Sequence, residues 1–311
     1  AGLSAGALVM QLNREQKIGG IFAASAYTLW GIAPLYFKNI DFVPALEILL
    51  HRIVWSFVLL LLLILALKQS AKLLAVVRQP KMLAWLLLCA LLLGGNWGLF
   101  IWAVNNHHML DASLGYYINP LLNVLLGMLF LNERLRKLQW AAVALALSGV
   151  LIQLITFGSL PWIALTLAGS FAIYGLMRKK LAVDAISGLF LESLLLLPLA
   201  LWFWSQHADS SAANLLNNSW QLNVYLIAAG LVTTVPLLCF IAGARRLQLS
   251  TMGFFQYIGP SCMFVFGVWL YHEPFASERL LTFGLIWLAL FLYTLDAWRY
   301  NRISRRQALA R

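Results

Sequence analysis

Apolar residues fill long, nearly unbroken stretches of this chain, and the polar positions fall between them. A helix that crosses a bilayer needs about 20 mostly apolar residues, with a range of roughly 17–25. Ten stretches fit that range: residues 18–37, 46–67, 82–104, 112–131, 138–157, 161–177, 188–204, 222–244, 250–270 and 280–298. The expected fold class is therefore all-α, a polytopic membrane protein of ten transmembrane helices. The connections are short, and the longest, residues 205–221, is rich in Ser, Asn and Ala and reads as an exposed loop. The first stretch is long, aromatic and interrupted by Pro34, and no small-residue cleavage site follows it, so it reads as part of the mature protein.

Composition agrees. The chain is 62% hydrophobic and 11% charged, with a mean hydropathy of +0.82, whereas a soluble domain carries roughly 25% charged residues. The net charge of +11 would suggest nucleic acid in a soluble protein, but no globular basic face exists here to carry it. Charge placement is informative instead. With a cytoplasmic N-terminus, nineteen of the 22 Lys and Arg fall in inside segments. Outside loops hold only Lys38 and Arg279, and Arg52 lies within span 2. By the positive-inside rule both termini are cytoplasmic, and the basic loops face the anionic lipids of the cytoplasmic leaflet. Cys89, Cys239 and Cys262 all sit in apolar stretches and read as small hydrophobes.

The chain repeats itself. Shifted by 140 residues, Tyr117-Ile118-Asn119-Pro120 overlies Tyr257-Ile258-Gly259-Pro260, Gly127 overlies Gly267 and Glu133 overlies Glu273. Earlier in each half the shift becomes 144 to 145, which places Trp30-Gly31 on Tyr174-Gly175 and Glu47 on Glu192. Spans 1–5 thus correspond to spans 6–10. Five is odd, so the second copy enters the membrane inverted. Charges agree: Asn105-Asn106 would lie outside where its counterpart Arg245-Arg246 lies inside. The expected organisation is a cytoplasmic N-terminal segment (1–17), a first repeat (18–157), a second repeat (158–298) and a basic cytoplasmic tail (299–311). Inverted repeats are an architecture of secondary transporters.

Trp30-Gly31, the stretch from Glu47 to Arg52, Ile118-Asn119-Pro120 and the duplicated glutamates resemble the EamA branch of the drug/metabolite transporter superfamily. The run from Gly94 to Met109, with Gly253-Phe254-Phe255-Gln256-Tyr257-Ile258-Gly259-Pro260 and the stretch from Val232 to Phe240, is similar to its bacterial RarD subfamily. The resemblance covers the whole membrane region. It implies a ten-helix inner-membrane permease whose relatives include exporters of amino acids and other metabolites, and no substrate follows from it.

Ionisable groups within a membrane are costly and so become functional candidates. Glu47 and His51 stand four apart and share a face of span 2, with Arg52 on a neighbouring face. His51 could take a proton near neutral pH. Arg52 could hold a substrate carboxylate, or the three could form a structural group near the headgroups. Glu192 on span 7 reads as reaching water or Lys179. These four are the coupling candidates. Glu133 and Glu273 end spans 4 and 9 against the helix dipole, and are expected to be structural corners held by the N-terminus of the following helix.

The substrate-binding candidates lie at middle depth. They are Tyr27 and Trp30 on span 1, Asn96 and Trp97 on span 3, Tyr116, Asn119 and Asn123 on span 4, Ser170 and Tyr174 on span 6, Thr233 and Thr234 on span 8, and Gln256 and Tyr257 on span 9. Spans 1, 3, 4, 6, 8 and 9 would then line a central cavity, and the family resemblance points to the same six. The plainer reading of each residue is helix-packing glue. Pro120, Pro236, Pro260 and Gly94-Gly95 are the hinge candidates. Trp140, Trp162, Trp202, Trp204, Trp298 and Tyr300 fit interfacial belts.

No nucleotide-binding loop, metal cluster or Ser-His-Asp set is found, and His107-His108 with Asp111 is a thin metal motif. No cofactor is expected, and the protein is not expected to be an enzyme. The expected function is a secondary transporter of a small metabolite or drug-like molecule working by alternating access, an exporter by resemblance, with protons as a possible coupling partner. The alternatives are a passive facilitator, and a membrane-embedded enzyme or lipid-handling protein.

Overall fold

A computed structural model describes residues 5–106, 108–158, 161–206, 215–270 and 277–309, and all regular structure among them is helical. The helices are α1 (Ala5–Phe37), α2 (Ala45–Ala66), α3 (Ser70–Val77), α4 (Pro80–Asn105), α5 (Met109–Leu131), α6 (Lys137–Phe157), α7 (Trp162–Lys180), α8 (Ala185–Gln206), α9 (Trp220–Ala244), α10 (Leu249–Gln256), α11 (Ile258–Trp269) and α12 (Ser277–Leu309). Eight of them, α1, α2, α4, α5, α6, α8, α9 and α12, are long and apolar enough to cross a membrane. Their outer faces carry bare Leu, Ile, Phe and Trp, such as Ile155, Leu129 and Phe291, as lipid-facing helices do. The protein is a polytopic membrane protein.

The remaining two expected spans deviate for identifiable reasons. α7 ends on Arg178, Lys179 and Lys180, which dilute its hydropathy. The ninth stretch divides at Tyr257 into α10 and α11. Pro260 has no N–H to give the carbonyl of Gln256, so the ladder breaks just upstream. Around the break Tyr257 N donates to Phe254 O (3.2 Å) and Ser261 N to Tyr257 O (3.1 Å). Pro120 and Pro236, by contrast, lie within the unbroken helices α5 and α9. The short helix α3 was not expected, because eight residues carrying Lys72 give no membrane-length signal; Leu73 and Val76 fold it back onto the core. α1 and α12 continue as helix into the expected terminal segments.

Packing exchanges the two halves. α1 packs on α9 and α11, while α7 packs on α4 and α5; α2 packs on α9, while α8 packs on α4. Across the halves α2 meets α8, α5 meets α10 and α6 meets α12. Exchanging each helix for its counterpart maps α1–α9 onto α7–α4, α1–α11 onto α7–α5 and α2–α9 onto α8–α4.

Glycines set the closest crossings. A Cβ on Gly230 of α9 would stand 2.5 Å from Trp55 Cβ of α2, and one on Gly253 of α10 would stand 2.6 Å from the Pro120 carbonyl of α5. Small residues allow this approach, where dispersion and interhelical hydrogen bonds replace a hydrophobic driving force. Asn132, in the left-handed region (φ 52), closes α5. The chain then brings Glu133 to a partner other than the one expected. Its carboxylate accepts from Leu249 N (2.6 Å), Ser250 N (2.9 Å) and Ser250 Oγ (2.7 Å) at the start of α10, not at the following helix. The positive end of α10 supplies the stabilisation that the end of α5 cannot. Its counterpart Glu273 lies outside the described residues, as does His107.

Candidate functional site

Three layers of chemistry run between the helices. The first centres on Arg52, in the second turn of α2. Its Nε donates to Thr233 Oγ1 of α9 at 2.8 Å, and Thr233 in turn donates to Ala229 O at 2.8 Å, which fixes the hydroxyl. The guanidinium lies 5.1 Å from the ring centre of Trp97 and 5.6 Å from that of Phe37, in cation–π range. Tyr116, 38% exposed, lies within electrostatic reach of it. Glu47 and His51 are buried beside this group. His51 Nδ1 accepts from Trp55 Nε1 (3.2 Å), and its ring meets Trp204 at 4.6 Å. Glu47 Oε2 has no hydrogen-bond partner.

The second layer is a small cavity lined by Ile53 and Ser56 of α2, Leu93 and Trp97 of α4, Glu192 and Ser193 of α8, and Thr234 of α9, among others. It has room for about one water molecule. Thr234 Oγ1, fully buried on its wall, has no hydrogen-bond partner. Four helices, two from each half, enclose the cavity. They correspond to spans 2, 3, 7 and 8, whereas spans 1, 3, 4, 6, 8 and 9 were expected.

The third layer is a buried charge pair. Glu192 was expected to find water or Lys179. It is instead sealed from solvent, with Oε1 standing 3.2 Å from Arg178 Nη1 of α7 and Oε2 accepting from the Tyr174 hydroxyl at 3.0 Å. Gly188, one turn before Glu192, makes the space: a Cβ there would stand 2.2 Å from Arg178 Nη1. Lys179 turns away and caps α9 by donating to Ala244 O (2.9 Å) and to Leu247 O. Arg178 was read as one of three basic residues leaving span 6. The missed signal was its four-residue spacing from Tyr174, which puts both on the face that meets α8.

The expected amides meet one another. Asn119 Nδ2 donates to Ala168 O (2.7 Å), and Asn123 Nδ2 donates to Asn119 Oδ1 (2.9 Å) and to Gln256 Oε1 (3.1 Å), which ties α5 to α7 and α10. Asn96 Nδ2 donates to Leu167 O (2.8 Å) and Ser170 Oγ (2.9 Å), which ties α4 to α7. The Tyr257 hydroxyl donates to Tyr117 O at 3.3 Å. None of these groups lines the cavity. Tyr27, Trp30 and Tyr174 instead join Phe171 and Phe240 in one aromatic cluster between α1, α7 and α9, with ring centres 5.2–6.3 Å apart. Of the thirteen substrate candidates, Trp97 and Thr234 reach the cavity directly, and Thr233 bonds Arg52.

Known proteins are similar to this sequence. Residues 17–155 match the EamA-like transporter family. An "Uncharacterized transporter" of Vibrio cholerae is 57% identical over 294 residues, covering 94% of this chain and 97% of its own. "Protein RarD" of Escherichia coli K12 is 54% identical, with 91% and 96% covered. A more distant relative, "Chloramphenicol-sensitive protein RarD" of Pseudomonas aeruginosa, is 34% identical, with 93% and 97% covered. A solved crystal structure at 20% identity superposes with a TM-score of 0.71 over 90% of this chain and 98% of that one, which shows a shared fold.

Proposed function

The chain belongs to the EamA-like transporter family, and from that premise we propose that it is a secondary transporter exporting a small molecule across the bacterial inner membrane by alternating access. In this reading ten passages form two inverted repeats, residues 18–157 and 158–298, that rock against each other. α7 and the α10–α11 pair count among the passages, and both termini face the cytoplasm, where basic loops meet anionic lipids. The symmetric exchange of helix neighbours supports two states related by swapping the roles of the halves.

The observation that carries the reading is the cavity between α2, α4, α8 and α9. Buried polar groups are normally satisfied, and Thr234 Oγ1 on its wall is not. A wall that holds a carboxylate and a bare hydroxyl at the meeting of two halves suits a passage better than a packed core. Glu192 is the coupling candidate that lines this space, and we assign any proton coupling to it. Pro120, Pro236 and Pro260 remain the proposed hinges, with the break at Tyr257 the most developed.

The test is accessibility. With Cys89, Cys239 and Cys262 replaced, a single cysteine at Ser193 is challenged with a membrane-impermeant thiol reagent from each side of oriented vesicles. Alternating access exposes the site to both sides at measurable rates. Labelling from one side alone, under every condition tried, would remove the alternating-access reading.

A further inference from the structure

We propose that the Arg52 guanidinium is the anchor for a carboxylate on the transported molecule, an inference that rests on the transporter reading and names its substrate class. Among the described residues, Arg52 and Arg178 lie inside the helix bundle, and their surroundings differ. Arg178 is matched by Glu192. Arg52 is held by neutral groups alone: one hydroxyl at Nε, and the faces of Trp97 and Phe37. No carboxylate among the described residues pairs with it, although Glu47 stands five residues before it on the same helix.

A solvent-seeking arginine would send its head toward the headgroups. Arg52 does the reverse. Its Nε bonds Thr233, the fourteenth of the 25 residues of α9, so the charge is anchored near the middle of that helix. A charge at that depth requires compensation. Arginine has five N–H donors in a planar fork, and the protein uses the Nε–H. With Nε taken, the edge formed by Nη1 and Nη2 remains to grip a carboxylate with two parallel hydrogen bonds. Trp97 and Phe37 flank the guanidinium and Thr233 accepts from its Nε, so the site is organised before any anion arrives. Trp97 also lines the cavity, where its ring offers an apolar surface to the body of the same molecule. The cargo supplies the missing counter-charge.

Two measurements test this. The first needs no ligand. An arginine waiting for its counter-ion strains the empty protein, so Arg52→Gln should melt in detergent at or above the wild-type temperature. A fall as large as that of Arg178→Gln would make Arg52 a structural strut and overturn the proposal. The second uses matched probes, hexanoate with hexanamide and 3-phenylpropanoate with 3-phenylpropanamide, each up to about 10 mM, a concentration that fills even a weak site. Ligands that bind only the folded state raise its melting temperature. A carboxylate should shift wild type while its amide does not, Arg52→Gln should lose the shift, and Arg52→Lys, with charge but no fork, should bind at least about tenfold more weakly. Equal shifts by acid and amide, a shift that survives in Arg52→Gln, or no shift with either acid would each overturn it. The Ser193 labelling separates the two failures. If labelling still alternates, only the carboxylate anchor falls.

Discussion

Arg178 Nη1 stands 3.2 Å from Glu192 Oε1, with both side chains closed to solvent. Removing one member leaves the other charged and unmatched in a low-dielectric interior, which costs about 3–5 kcal/mol. Arg178→Gln and Glu192→Gln should each lower unfolding free energy in mixed micelles by that order. The apolar double variant Arg178→Met/Glu192→Leu should recover most of the loss. Singles within about 0.5 kcal/mol of wild type would mean that the pair is solvated in the membrane.

Gly188 and Gly95 should respond oppositely to alanine. A Cβ at Gly188 collides with the Arg178 guanidinium, while nothing lies within 4 Å of one at Gly95. Gly188→Ala should destabilise by about 1–3 kcal/mol, with the pair displaced. Gly95→Ala should be neutral or stabilising by up to about 1 kcal/mol, through the lower entropy of the unfolded helix. Thermal melts of the two variants side by side decide it.

Glu133 should act as a cap whose charge matters. Glu133→Gln keeps one acceptor for the start of α10 but loses the charge-assisted bonds, at a cost of about 1–2 kcal/mol. Glu133→Ala leaves Leu249 N and Ser250 N unmet and should cost more. Hydrogen exchange confined to α10 would report the loss. Unchanged protection there in Glu133→Ala would show that water replaces the carboxylate.

Coupling predicts a separable phenotype at Glu192. If a proton moves through it, Glu192→Gln should leave substrate equilibration down its own gradient measurable in proteoliposomes, while abolishing the dependence of flux on an imposed pH gradient. Persistence of that dependence would assign coupling elsewhere or remove it.

The membrane fold was legible because apolar length is a one-dimensional property that survives without knowledge of neighbours. The stretches matched α2, α4, α5, α6, α8 and α9 closely. α3 escaped because its signal is too short, and the break at Tyr257 because a proline shows which hydrogen bond is lost but not how the chain responds. The polar residues were legible as a set and not as individuals. Asn119, Asn123 and Gln256 share a depth in sequence, but only three-dimensional placement shows that they bond one another across α5 and α10. Arg178 was hidden for the opposite reason: two neighbouring lysines made it look like part of a loop, and Gly188, ten residues later, is what admits it to the core.

The cavity draws its walls from α2, α4, α8 and α9, while α6 and α12 lie against each other away from it. With the two repeats proposed above, this arrangement divides the labour. In the transporter reading proposed above, changes in the four wall helices alter which molecule is recognised without disturbing the α6–α12 contact, and changes in that contact tune how readily the halves move without touching recognition. On that reading cargo and stiffness are selected separately, so one scaffold is retuned for different molecules without being rebuilt.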